Sequence, residues 1–90
     1  MFEIRVVDLA PGRARRYAEA EWRDALVVVE CGEIELETVD HARCRFARGD
    51  MLWLTGLPLR AVHNRGRGPA RLVAVSRLPQ RTVYGPVETG

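Results

Sequence analysis

Glu19 and Glu21 lie two residues apart in an alternating segment, so an extended chain would present both carboxylates, with Arg15 and Tyr17, on one face. Two neighbouring carboxylates whose pKa values are separated by burial can divide the acid and base roles of a proton transfer. Other residues able to do chemistry are sparse. His41 falls in a turn and His63 at the end of an apolar run, and neither belongs to a group with metal-ligand spacing. Cys31 and Cys44 lack the paired spacing of a zinc site and read as reduced, buried, small apolar residues. Arg13, Arg15 and Arg16 form the densest basic cluster, which reads as a solvated strand face.

The 90 residues suffice for one domain with a compact core. An apolar fraction of 47% with 29% charged residues is globular rather than disordered. All 14 basic residues are arginine, a usage that a GC-rich genome also produces, and they are scattered among 12 acidic ones for a net charge of +2. That balance argues against nucleic acid as a partner. No apolar run approaches the roughly 20 residues of a membrane span. Met1-Phe2-Glu3-Ile4-Arg5 lacks the layout of a signal peptide, so the expected location is cytoplasmic, with no membrane association.

The elements that must position these residues are strands. Short alternating runs separated by Gly, Pro and Asp recur, which predicts an all-β domain, a barrel or a sandwich. Phe2 to Leu9 alternates loosely and ends at the Ala10-Pro11-Gly12 turn, and Arg13 to Glu21 is the second strand candidate. Ala25 to Cys31 is nearly continuously apolar and β-branched, as expected of a strand covered on both faces. After the Gly32-Glu33 turn, Ile34 to Val39 alternates apolar with acidic residues. Arg43 to Phe46 repeats that pattern with basic residues that could pair with Glu33, Glu35 and Glu37. Met51 to Leu54, Arg60 to Asn64 and Ala70 to Arg77 complete the set. The domain is expected over 1–78, with 79–90 as a C-terminal tail, or an arm closing the barrel mouth or reaching a second subunit.

Gly49-Asp50-Met51-Leu52-Trp53-Leu54, followed by Arg60-Ala61-Val62-His63-Asn64, resembles the second motif of the cupin family, and Gly32 matches the glycine turn that ends the first. The resemblance runs from about Glu19 to Arg77 and implies a small antiparallel β-barrel of jelly-roll type. The four positions that usually hold metal ligands in that family fall on Glu19, Glu21, Ala25 and Arg60; a longer gap before Ala25 would place Ala18 and Ala20 at two of them. First-row metals in such sites require imidazole with one carboxylate, and a permanent guanidinium charge repels the ion. No metal and no cofactor are therefore expected. His63 alternates away from Arg60 and Val62 and should point outside the barrel.

If Arg60 faces the interior as the family histidine does, its charge must be offset, and Glu19 and Glu21 are the candidates by topology. Three readings follow. Glu and Arg form a structural ion pair in a non-catalytic scaffold, or Arg60 holds a small, anionic molecule through its planar fork. In the third, Glu19 or Glu21 is the base of a metal-free isomerase or epimerase with Arg60 stabilising an oxyanion. The ligand pocket would be lined by Met51 or Leu52, Trp53, Val27, Val29 and Leu72, with polar points from Arg60, Glu19, Glu21 and Tyr17. Leu26, Val28, Leu52 and Leu54, expected opposite that pocket, need cover that one small sheet does not provide, which predicts a homodimer.

Overall fold

The computed structural model describes residues 1–77. The expected tail, 79–90, lies outside the described residues. The elements in order are β1 (Phe2–Leu9), β2 (Ala14–Arg16), α1 (Glu19–Trp22), β3 (Ala25–Cys31), β4 (Glu33–Thr38), β5 (Arg43–Ala47), β6 (Met51–Trp53), β7 (Leu59–His63) and β8 (Ala70–Arg77). They form two four-stranded antiparallel sheets, β1-β8-β3-β6 and β2-β7-β4-β5. Apart from the β4–β5 hairpin, neighbouring strands in this order come from distant parts of the chain, which is the jelly-roll arrangement of two interleaved Greek keys.

Strand alternation selects the core. Val7, Leu9, Val27, Val29, Leu52, Leu72 and Ala74 point inward from one sheet, and Ile34, Leu36 and Val62 from the other. Trp22, on α1, is completely buried.

The motif residues turn out to hold corners. Gly49 adopts a φ of 94° and donates its N–H to Val29 O, while Asp50 accepts from Ala47 N at 2.8 Å, closing the β5–β6 turn. Asn64 is 1% exposed. Its Nδ2 donates to Leu9 O and Gly68 O, both at 2.9 Å, and its Oδ1 accepts from Gly66 N. It thereby ties the end of β1 to the β7–β8 turn.

Three expectations are corrected. The strand anticipated from Arg13 to Glu21 stops at Arg16, and Glu19–Trp22 is a single helical turn. Ala, Glu and Trp at 19–22 carry no β-branch to resist helix, and Glu19 pairs with Arg23 four residues on. The Gly32 turn does not make a hairpin, because β3 and β4 lie in different sheets and the chain crosses between them there. β3, expected to be covered on both faces, buries Ala25, Val27 and Val29 but leaves Leu26 40% exposed.

Candidate functional site at the barrel end

Glu21 is the centre of a polar cluster formed with two inward-facing arginines. Arg15 Nη2 donates to its carboxylate, Arg5 Nη1 lies 3.5 Å from the same Oε2, and Arg5 Nη2 donates to the Glu21 backbone carbonyl. Arg5 also stands over the Trp22 ring, 5.3 Å from its centroid, within cation–π range. Two guanidinium groups thus share one carboxylate beside a buried indole. Arg15 Nε and Trp22 Nε1 are buried and have no hydrogen-bond partner among the described residues.

Local sequence explains the convergence. Arg5 shares the inward parity of Val7 and Leu9 on β1, so it is a cation on an apolar face. Arg15 lies opposite Val62 of β7 and so also faces in. The helical turn then swings Glu21 and Trp22 to the sheet ends, where the arginines meet them. Arg5 and Trp22 were not singled out in the sequence; the charge at an inward position of β1 was the available signal.

The remaining site candidates are dispersed. Glu19 is exposed and bonded to Arg23 at 2.7 Å, a hydrogen bond that holds its carboxyl below the usual range. Arg60 is exposed rather than interior, and its side chain makes no ion pair among the described residues. It has the parity of Val62, but the β4–β7 register is irregular there, passing from Glu37 opposite Ala61 to Thr38 opposite Leu59, so Arg60 has no partner in β4 and Leu59 takes the buried position instead. The Arg60 carbonyl accepts from Tyr17 N at 2.9 Å, which sets Tyr17, just past the end of β2, beside Arg60. Tyr17 is half-buried against the core, with its hydroxyl 3.4 Å from Leu54 O, and burial first, then Glu19, raises its pKa. The expected Arg60 pairing with Glu19 or Glu21 is not formed, because those carboxylates have nearer arginines.

The anticipated pocket lining is also corrected. Leu26 is opposite Trp53 and Val27 opposite Leu52, so Trp53 and Met51 share the outward side of Leu26 and are 55% and 67% exposed. Leu52 and Leu54, assigned to the outside, are core residues. Val27, Val29 and Leu72 point inward as expected but are close-packed, at 1% exposure or less.

On the outer face of the other sheet, Glu37 bridges two histidines. His63 Nε2 lies 2.8 Å from Oε1 and His41 Nδ1 3.0 Å from Oε2, so His63 points outside the barrel. Hydrogen bonds to His41 and His63, with Arg43 adding attraction, lower the Glu37 pKa to about 2. A carboxyl depressed by folding stabilises fully above its ordinary 4.5, and the contribution is lost as pH falls toward about 2. The stability difference between the parent and Glu37→Gln should therefore shrink as pH falls from about 4.5 toward about 2. Urea unfolding across this range checks it; a difference unchanged down to pH 2.5 would contradict the assignment.

No protein-family model matches the sequence, and no curated protein matches it. Solved structures do. The cupin domain of an XRE-family transcriptional regulator from Enterobacter cloacae superposes with a TM-score of 0.68 at 22% identity, covering 88% of this chain and 83% of that one. A conserved cupin barrel protein from Salinispora arenicola gives 0.65 at 27% identity over 82% of this chain and 60% of its own. Oxidized CprK, solved in complex with o-chlorophenolacetic acid, gives 0.51 at 21% identity over 93% and 37%.

The residues here do not fit the metal that cupin resemblance implies. Ala25 has no ligand atom, Arg60 is cationic, and Glu21 is engaged by two arginines. Among the described residues no three His, Cys, Asp or Glu side chains converge on a metal position, and no helix is long and apolar enough to cross a membrane. With its two interleaved sheets, its corner glycines and its buried Asn64, the chain is a small all-β jelly roll of the cupin fold.

Proposed function

We propose that the domain is a metal-independent binding module for a small anionic molecule, whose oxygens meet the Arg15 and Trp22 N–H groups at the barrel end. The observation that carries this reading is the pair of buried donors without an acceptor. A buried donor left unpaired costs about 1–3 kcal/mol, which a ligand oxygen would recover. The two guanidinium groups around a single carboxylate leave a local positive excess, which an anion balances and a neutral analogue does not. Arg15 gives Nη2 to Glu21 and keeps its Nε–H, one donor for one ligand oxygen beside Glu21. Arg60, exposed at the rim beside Tyr17, attracts the anion at longer range. In oxidized CprK, whose fold is similar, the ligand is an aryl carboxylic acid, which supports testing that chemical class first.

The isomerase or epimerase reading has weaker support. A general base works best with a pKa near the working pH, whereas Arg23 lowers that of Glu19; the Glu21 carboxylate is already occupied by Arg15 and Arg5 and is not free to meet a substrate proton. A scaffold without ligand would leave the two donors unexplained.

Phenylacetate should raise the melting temperature and give saturable NMR shifts, while phenylacetamide should not. Arg15→Gln and Trp22→Phe are each expected to weaken binding about tenfold, and Arg60→Gln about two- to fivefold with a loss that fades in high salt. If phenylacetate, benzoate and succinate all leave the protein unchanged, or Trp22→Phe binds as tightly as the parent, the reading fails.

A further inference from the structure

We infer that the outer face of the β2-β7-β4-β5 sheet carries a second binding site, in which Glu33, Glu35, Arg45 and Arg65 hold a small zwitterion, an α-amino acid. These four side chains, with Ile34 and Gly66, line a concavity of about 110 Å³. Sites for drug-sized ligands start at roughly 300 Å³, so this space suits a molecule of only a few heavy atoms. It is separate from the Arg15 and Trp22 site. Alternation along β4 puts Glu33 and Glu35 on the face opposite Ile34 and Leu36, which are core residues.

The register gathers these charges but leaves several of them unpaired. Arg45 lies directly opposite Glu35 in the β4–β5 hairpin, where unlike charges ordinarily meet. Glu35 instead accepts from Arg43 Nη1 at 2.9 Å and from Arg65 Nε, both on Oε1. Its Oε2 has no partner among the described residues, and neither Arg45 nor Glu33 forms an ion pair among them. Glu33 stands roughly 7 Å from Glu35 along the same face of β4. The concavity therefore offers the Glu33 carboxylate, the second oxygen of Glu35, the Arg45 fork and the terminal nitrogens of Arg65.

Charge decides the class of ligand. Two carboxylates and two guanidinium groups line the space, which makes it neutral in sum; Arg43, outside it, is engaged by Glu35 and Glu37. An anion drawn to the arginines also meets both glutamates, and a cation drawn to the glutamates also meets both arginines. A zwitterion is attracted at both ends when its carboxylate takes the Arg45 fork and its ammonium lies between Glu33 and Glu35 Oε2. Hydrogen bonds, from Arg43 first and then Arg65, hold the Glu35 pKa below its ordinary value, so this carboxylate stays charged for the ammonium. An α-amino acid carries both its charges on one carbon, a separation that matches cross-strand neighbours about 5 Å apart.

NMR titration of the full chain with glycine or alanine near neutral pH tests this. Saturable shifts of the Ile34, Arg45 and Gly66 amides are expected, with a Kd on the order of 1 mM, because exposed ion pairs are individually weak. N-acetylglycine and glycinamide, which each keep one of the two charges, should bind at least about tenfold more weakly. Arg45→Gln and Glu33→Gln should each weaken glycine binding about tenfold, and both side chains are exposed, so the fold does not depend on them. The inference is overturned if glycine and alanine shift none of these amides up to about 50 mM, if N-acetylglycine binds as tightly as glycine, or if either variant keeps the parent affinity. Trp22→Phe should weaken phenylacetate and leave glycine unaffected, so the failure of one site is distinguishable from the failure of the other.

Discussion

Trp22→Ala should lower the unfolding free energy by about 3–5 kcal/mol. Among the described residues Trp22 is the largest fully buried side chain and comes from their one helical turn, so its truncation leaves a large cavity in the core. Its ring also lies under Arg5, a contact worth about 0.5–2 kcal/mol, and its loss would leave that cation without its apolar support. Domains of this size are stable by about 5–15 kcal/mol, so the variant should unfold at far lower urea. Trp22→Phe separates the parts. It keeps most of the volume and deletes an N–H that has no acceptor, so it should cost much less. A Trp22→Ala loss below about 1 kcal/mol would show that the ring is not packed as described.

The second large effect is at the corner between sheets. Gly32 has a φ of 75°, and a Cβ there would run into Pro69 O and come within 2.8 Å of Ala70 Cα. Both obstacles are backbone, which cannot rotate away as a side chain can. Gly32→Ala should therefore cost about 3 kcal/mol or more, combining a left-handed conformation with overpacking. Gly12 is the control, with a φ of 77° and nothing within 4 Å of the added carbon. Gly12→Ala should cost only about 1 kcal/mol. Comparable losses for the two variants in urea unfolding would show that φ alone, and not the approach of the β7–β8 turn, makes glycine necessary at position 32.

The strands from Ala25 onward were legible because each is a short run, either alternating like Ile34 to Val39 or continuously apolar like Ala25 to Cys31, and glycine, proline or aspartate punctuates the chain between them. The segment 13–21 was not. Arg13 to Arg16 alternates like a strand, and Ala-Glu-Ala-Glu continues a two-residue period that a short helical turn satisfies equally well. That ambiguity governed the site, since parity along a strand would have aimed Glu19 and Glu21 together. The helical turn instead sends Glu21 to Arg5 and Arg15 and Glu19 to Arg23. Arg60 was read at an inward position, and its parity with Val62 agrees; the register irregularity that skips it between Leu59 and Ala61 is set by strand pairing and not by residue type.

What the residues determined alone is local. Alternation set which strands exist, and left-handed or tightly packed corners required Gly32, Gly49 and their like. Asp50 and Asn64 could satisfy buried backbone groups wherever the turns came to rest. Only the tertiary structure decided pairing and register, because a one-residue slip exchanges the two faces of a strand without changing its sequence. Register put Trp53 outside with Leu26 and Leu52 inside with Val27, and it gathered Arg5, Arg15, Glu21 and Trp22 from three elements into one charged cluster.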